Sequence, residues 1–563
     1  MKRFKTQYII SLFLFNLIFP FVPVDAIGTE GVAVSSKYEA SKIGLDILKK
    51  GGNAIDAAVA IGFALSVTHP GAGNIGGGGF MVIRFPDGRI TSIDFREKAP
   101  QMSSRDMFLD DTGEVIPGLS WASILSSGVP GTVAGLGYAH EKYGSLNWDV
   151  LLYPSIILAK YGYKLDYNNI SLMNSDRYKY KLSQDQETKK IFSKSSNYAI
   201  NEIFIQNDLG KTLERIAKFG YNEFYFGETA KKIIDCMNRT GGIISYSDLE
   251  SYMPLEKEPI TFTYRDYSIH SMPLPSSGGI TIANILNQLE NVDISSFSYH
   301  SSEHIHLLVE AERRAYSDRA KFLGDEDFVD VPIDLLLSKE YALKRYNSID
   351  LDNATDSMDI YDSAVLIDNE SNETTHYSVA DKNGMAVSVT TTLNGWYGNG
   401  ITVDGAGFLL NNEMDDFSIK PGYPNAYGLV GNEANSISPN KRMLSSMSPT
   451  IVEDTNGELF LVLGSPGGST IITTVTQIIS NIIDFNMEID QAVESKRVHH
   501  QCLPDLIQLE NYSLQYDVIN KLQSYGHDFK YKSSIGEANC IMFKNNFYYG
   551  SADSRRNASA LAY

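Results

Sequence analysis

Cysteine is nearly missing from this chain. Cys236, Cys502 and Cys540 are the three in 563 residues. That is no disulfide framework, and at most one pair can form. A Cys502–Cys540 bridge is conceivable, but buried free thiols are the simpler expectation. None of the three sits in a glycine-rich or electropositive setting, so a cysteine nucleophile is not expected. Basic residues are also scarce: 48 Lys+Arg against 68 Asp+Glu give a formal charge of −20. An anionic surface argues against non-specific binding to nucleic acid, whose phosphates need a basic face. It leaves room for an anionic small substrate, because a local site can oppose the global charge.

A membrane-spanning run is lacking too. The N-terminus, "MKRFKTQYIISLFLFNLIFPFVPVDAIG", places Lys2, Arg3 and Lys5 before an apolar run from Ile9 to Phe19 that Ser11 and Asn16 interrupt. The run is short for a span and ends in Val24-Asp25-Ala26, the pattern of a secretory signal peptide over residues 1–26. The expectation is an exported chain without stable membrane insertion. Removing residues 1–26 deletes three basic and one acidic side chain, so the charge becomes −20 − 3 + 1 = −22.

Hydrophobic residues at 43% and charged residues at 21% are ordinary globular values, which excludes disorder for most of the chain. The length suffices for several cores or one large layered domain. Two helices are predicted within 36–68, broken at Gly51-Gly52; the second is apolar nearly all round and so buried. Hairpins are predicted around Pro86-Asp87-Gly88, Lys382-Asn383-Gly384 and Thr455-Asn456-Gly457, with a fourth near Ile541–Tyr549. Amphipathic helical stretches at 301–322, 469–484 and 488–498 lie between them. Hairpins mixed with helices, rather than βαβ crossovers, indicate an α+β fold with helices layered on antiparallel sheet. Residues 349–373 carry eight Asp/Glu and no Lys or Arg, which reads as an exposed, mobile linker.

Three motifs point elsewhere and fail on context. "GAGNIGGGGF" (71–80) matches GxGxxG, but a helix precedes it and a strand follows, the reverse of a dinucleotide site. Close backbone packing is the better reading. "HSSEH" (300–304) matches an inverted zinc-protease pattern, yet Ser301 and Ser302 are natural N-caps that would start the helix between the histidines. His499-His500 reads as structural. The charge-dense "EAERRAYSDRAKFLGD" (310–325) reads as a solvated helix face with i,i+4 pairs.

The chemistry centres on "SNETTHYSVADKNG" (371–384), where the acidic linker runs into a strand. A threonine hydroxyl is a weak nucleophile and needs a base; an internal threonine must borrow one. An N-terminal threonine carries its own, an α-amine with a pKa near 8. A threonine exposed by cutting the linker would therefore arm itself, but by residue type alone most threonines at such a junction are simply β-formers.

The run "ETTHYSVADKNGMAVSVTTTLNGWYGNGI" resembles the start of the small subunit of bacterial γ-glutamyltranspeptidases. The resemblance extends through "GGNAIDAAVA", "THPGAGNIGGGGFM", "DFREKAP", "GVPGTVAG", "PLPSSGGIT", "LLNNEMDDFS", "NKRMLSSMSPTIV" and "GSPGGS", over roughly 500 residues. It implies the N-terminal-nucleophile hydrolase fold, a four-layer αββα sandwich. It further implies self-cleavage between Glu373 and Thr374 into a large subunit (27–373) and a small subunit (374–563) that together form one layered domain. Thr374 is then the nucleophile, and Thr392 orients its new amine. Arg96 binds the substrate α-carboxylate with Ser445 and Ser446. Asn394, Glu413 and Asp416 cradle its ammonium; family members exist with glutamine at the Glu413 position. Gly467 and Gly468, just before a helix, supply oxyanion N–H donors, and Tyr427 belongs to a lid over 420–442.

The activity implied is hydrolysis of glutathione and other γ-glutamyl compounds, or transfer to an amino acid or dipeptide. No metal or organic cofactor is needed for this chemistry. Periplasm is the compartment expected from family habit, with secretion to the medium the alternative. The rivals are a glutaryl-cephalosporin acylase or capsule-modifying transpeptidase sharing the processing, and an unprocessed protein that only captures γ-glutamyl compounds.

Overall fold

The computed structural model describes residues 25–360 and 374–563. Two seven-stranded antiparallel sheets lie face to face. The first runs Ser559–Ala562, Gly31–Ser35, Thr375–Asp381, Ala386–Thr392, Gly78–Arg84, Ile90–Phe95, Leu255–Lys257. The second runs Asp25–Gly28, Phe547–Ala552, Asn539–Lys544, Leu459–Leu463, Thr450–Glu453, Tyr267–Ser271, Ile260–Tyr264. Their facing side chains form one apolar cluster, in which Val32, Val34, Phe80 and Val82 meet Ile451, Val462, Ile541 and Tyr548.

Because side chains alternate along a strand, the neighbours of these residues point outward. Ala33, Met81 and Ile83 pack under an apolar layer that includes helices Tyr38–Lys49 and Ala54–Thr68. Ile269, Val452 and Leu461 pack under helices Gly278–Leu289, Ser302–Phe322 and Thr470–Ile483. The result is helix, sheet, sheet, helix: the expected αββα sandwich. All four expected hairpins are present. Among the described residues no helix is long and apolar enough to cross a membrane.

The glycine run at 71–80 packs backbone on backbone. A Cβ on Gly77 would lie 2.0 Å from the carbonyl oxygen of Thr392, and one on Gly76 2.1 Å from that of Leu409. Ser301 caps its helix by accepting from the His304 N–H, leaving His300 outside it. The three cysteines are free and buried, so Cys502 and Cys540 are not bridged. Residues 1–24 lie outside the described residues. The edge strand Asp25–Gly28 begins two residues inside the expected 1–26 leader, and Asp25 accepts from Ser551 Oγ at 2.7 Å.

One expectation needs correction. The helix Ser302–Phe322 is not a solvated face: every residue from His304 to Ala320 is buried. The short-range pairs do form, Glu310 with Arg313 (3.1 Å) and Arg314 (2.5 Å), but in the interior. A charge pattern along one helix cannot show that distant loops will bring partners, and here they do. A second is met in part, for the same reason. The first part of the acidic segment is largely exposed, as expected, yet this helix holds it by hydrogen bonds as far as Ile360. Arg314 donates to Ser348 Oγ and O and to Thr355 Oγ1, Glu310 accepts from Thr355, and Ser317 donates to Ile360 O. Arg313 reaches Ser357 and Asp505, and Asp505 also accepts from the Ser357 N–H at 2.7 Å. Residues 361–373 lie outside the described residues.

Although burial works against its charge, His500 and Arg313 hold the Asp505 carboxyl well below the usual aspartate range. Its stabilising contribution is therefore full above pH 3.8, the unfolded value, and is lost as pH falls through the depressed folded value. Asp505→Asn should lower stability at pH 7 by about 1–3 kcal/mol, as for a lost charged hydrogen bond. The gap from the parent chain should close as acid is added below pH 3.8, read from denaturant midpoints across pH.

Candidate active site

Thr374 stands directly before the strand Thr375–Asp381. The hairpin pairs Thr375 with Thr391, so continuing the antiparallel register sets Thr374 across from Thr392. Gly384 in the turn takes φ +82°, which a glycine adopts without steric cost, and this fixes the register. Past Thr392 the chain bends sharply. Asn394 adopts φ +69°, a conformation asparagine tolerates, and its N–H donates to Thr392 Oγ1 at 2.8 Å.

A cavity opens beside these threonines. Its lining includes Thr374, Thr392, Asn394, Arg96, Asp416, Tyr427, Ser445, Ser446 and Gly468. Nine of the positions singled out in the sequence are thus gathered from six separate stretches of chain. Glu413 and Gly467 are not among the lining residues.

Arg96 is fully buried, with Nη1 donating to Glu413 Oε2 at 2.6 Å and Nη2 to Asp416 Oδ2 at 2.5 Å. Backbone carbonyls of Met443 and Leu444 accept from the same guanidinium. Burial opposes its charge, but Glu413, Asp416 and Glu97 outweigh that and keep it protonated. Three carboxyls crowding one cation is a costly arrangement. Burial, only partly offset by Arg96, pushes Glu97 up to about 8 and raises Glu413 and Asp416 as well. Glu413 Oε1 is buried without a hydrogen-bond partner.

Residues of the 420–442 loop, among them Tyr423, Asn425 and Tyr427, form part of the wall. Tyr427 Oη donates to Asn394 O at 2.6 Å, Asn425 Nδ2 to Asp416 Oδ1, and the Ala426 N–H to Asp415 Oδ2. Loop and acidic turn are thereby tied together. Gly468 of the lining, preceded by Gly467, leads through Ser469 into helix Thr470–Ile483. Gly467 and Gly468 take φ +143° and +55°, conformations that side chains rarely adopt. A helix N-terminus so placed turns unpaired N–H groups outward.

No histidine or lysine is among the lining residues described. His376, two residues beyond Thr374, is occupied with Thr390 Oγ1 (2.9 Å) and Ser378 Oγ (3.1 Å), and burial drops its pKa to about 3. It is no base for Thr374. Away from the cavity, His306, Glu310 and His527 offer metal-ligand atoms within 4.8 Å of one another. His306 Nδ1 and His527 Nε2 already share a hydrogen bond at 2.8 Å, His306 Nε2 bonds Asp350 O, and Glu310 serves two arginines. The cluster belongs to the anchor of the acidic segment.

Comparison with known families decides what such a site belongs to. The family described as Gamma-glutamyltranspeptidase matches residues 40–563. The chain belongs to the gamma-glutamyltranspeptidase family. As a gamma-glutamyltranspeptidase it is an enzyme of γ-glutamyl hydrolysis and transfer. A glutathione hydrolase proenzyme of Escherichia coli (strain K12) is 46% identical over 95% of this chain and 92% of its own length. One of Pseudomonas sp. (strain A14) is 42% identical over 95% of each chain. Among solved structures, the Helicobacter pylori gamma-glutamyltranspeptidase is 45% identical, with a TM-score of 0.56 over 57% of this chain and 92% of that one. A cephalosporin acylase from Bacillus halodurans superposes over 100% of this chain and 99% of its own at TM-score 0.83. At 24% identity it shares the fold alone.

Sequence reasoning gave no role to two residues at this cavity, one in its lining and one bonded to the lining. Arg319 lines the cavity from the C-terminal end of the buried charged helix. Ser277, in "PLPSSGGIT", donates to Ser445 O at 2.6 Å. The arginine was hidden among charges that read as solvated; the serine was quoted without a role.

Proposed function

We propose that the chain is cut between Glu373 and Thr374 and that the freed Thr374 carries a γ-glutamyl group as an ester. The observation that carries this is the setting of Thr374: it faces a cavity with buried arginines and a carboxylate, and among the described residues no histidine or lysine lines that cavity to activate it. Its own α-amine is then the base at hand. Thr374 Oγ attacks the γ-amide carbonyl while its proton passes to the amine. N–H groups of Gly467 and Gly468 stabilise the oxyanion. Collapse expels the leaving amine, which takes up that proton and leaves the ester. Water then releases glutamate, or an amino acid or dipeptide takes the acyl group.

Arg96 with Ser445 and Ser446 binds the α-carboxylate; Asn394, Asp416 and, from behind, Glu413 meet the ammonium. A site of both signs suits a zwitterionic head, and a glutaryl group has no amine to satisfy Asp416. Glutathione is the donor proposed, in keeping with the named activity of the E. coli relative. The signal-peptide pattern supports export, with periplasm preferred to medium.

Intact mass and N-terminal sequencing of the purified mature protein test the reading. With leader removal after Ala26, cleavage yields 373 − 26 = 347 and 563 − 373 = 190 residues, and the cut protein hydrolyses γ-glutamyl anilides. One uncut, inactive chain would make this a binding protein instead. Gly467→Ala tests the oxyanion role. Its Cβ would lie 2.4 Å from Thr470 Oγ1 at a strained φ, and kcat should fall ~10²–10³-fold with KM nearly unchanged in whatever fraction is processed.

A further inference from the structure

Among the described residues, buried arginines come with carboxylates. Arg84, Arg96, Arg313, Arg314, Arg442 and Arg497 each have one within 3.4 Å. Arg319 is the exception. It is 6% exposed, and among the described residues no carboxylate lies within the 4.0 Å reach of an ion pair. Its partners are neutral: Nε donates to Ser277 Oγ at 2.9 Å, and Nη2 to Ser446 Oγ at 3.2 Å. Burial lowers its pKa, with Tyr316 and Asp416 only partly offsetting. A guanidinium removed from water without an anion carries an uncompensated desolvation cost, and the open side of this one is the cavity that holds Thr374.

Arg96 cannot by itself supply the missing positive field, because Glu413 and Asp416 already engage both of its terminal nitrogens. Arg319 feels Asp416 only at a distance and, among the described residues, has no carboxylate bonded to it. It also grips the serine turn twice, directly at Ser446 and through Ser277, whose hydroxyl donates to Ser445 O.

We propose that Arg319 is a specificity-determining residue, the second cation of the site, whose charge, delivered at Ser446, makes the enzyme require an α-carboxylate on its donor. The inference rests on the γ-glutamyl reading above. It assigns to the neutral serine turn a charged backing, and to the donor's carboxylate the task of completing a half-made buried ion pair.

The test compares two donors on one preparation: γ-L-glutamyl-p-nitroanilide and 4-aminobutanoyl-p-nitroanilide, which keeps the amine and acyl chain and lacks only the α-carboxylate. The ratio of their kcat/KM values is independent of how much protein is active. Arg319→Gln should lower that ratio at least tenfold, through a raised KM for the glutamyl donor, and Arg319→Lys should recover part of it. An unchanged ratio in Arg319→Gln, or a parent enzyme that does not discriminate between the donors, overturns the assignment. So does failure of both variants to yield the cut enzyme, which would make Arg319 a residue of folding. A parent enzyme that turns over neither donor would instead sink the γ-glutamyl reading itself.

Discussion

Thr374→Ala is expected to give a single uncut chain with γ-glutamyl hydrolysis reduced by at least about 10⁴-fold, the scale seen when a nucleophile is removed. Both effects have one cause. The same hydroxyl is asked to attack the Glu373 carbonyl once and the donor amide repeatedly, and the methyl that remains can do neither. Folding should be little affected. Thr374 stands before the strand rather than within its ladder, and the adjoining Thr375 keeps its own bond to Ser36 Oγ at 2.9 Å. Thr374→Ser separates chemistry from shape, since it restores a hydroxyl without the β-methyl, and it should be cut slowly and regain measurable turnover. A Thr374→Ala chain that still separates into two pieces at residue 373 would end the self-cleavage reading. A denaturing gel with mass determination decides it.

Replacing Arg96 should be nearly as severe, for a different reason. Arg96→Gln leaves Glu97, Glu413 and Asp416 packed together in the interior with no cation between them. Breaking a buried charge pair by removing one partner costs about 3–5 kcal/mol. The carboxyls, already raised by burial, would take up protons to relieve it. Loss of the bidentate donor should also cost ~10²-fold or more in kcat/KM for a γ-glutamyl anilide, at 1.5–3 kcal/mol per charge-assisted bond. The two losses can be pulled apart. Arg96→Gln with Glu413→Gln removes one stranded charge with its partner, so the denaturation midpoint should recover substantially while kcat/KM does not. Recovery of both together would mean that Arg96 serves structure alone.

Much of the architecture was legible because local signals carry it. Period-two apolar runs flanking Asp-Gly and Asn-Gly turns specify hairpins, and Gly51-Gly52 separates an amphipathic helix from one buried along its whole length. The helix 302–322 was placed correctly and its environment was not. Its sequence gives the charges of Glu310, Arg313, Arg314 and Arg319 but not where their partners come from, and Asp505, Ser348, Ser357 and Ser446 are brought in from loops far along the chain. The tether on the first part of the acidic segment was illegible for the same reason: its hydroxyls and N–H groups, rather than its charges, are what the buried arginines and Asp505 hold.

The sequence alone determined the class of fold and, through its ordered motif blocks, the family and the residues to examine. Those are properties of spacing and residue type, which a linear chain states directly. The tertiary structure decided which residues share one cavity, that Arg96 is shared with Glu413 and Asp416, and that Arg319 faces the cavity with hydroxyls, rather than a carboxylate, as its hydrogen-bond partners among the described residues. Such facts depend on which distant groups meet once water is excluded. The energy of a buried charge is set by its neighbours in space and not by its neighbours in sequence.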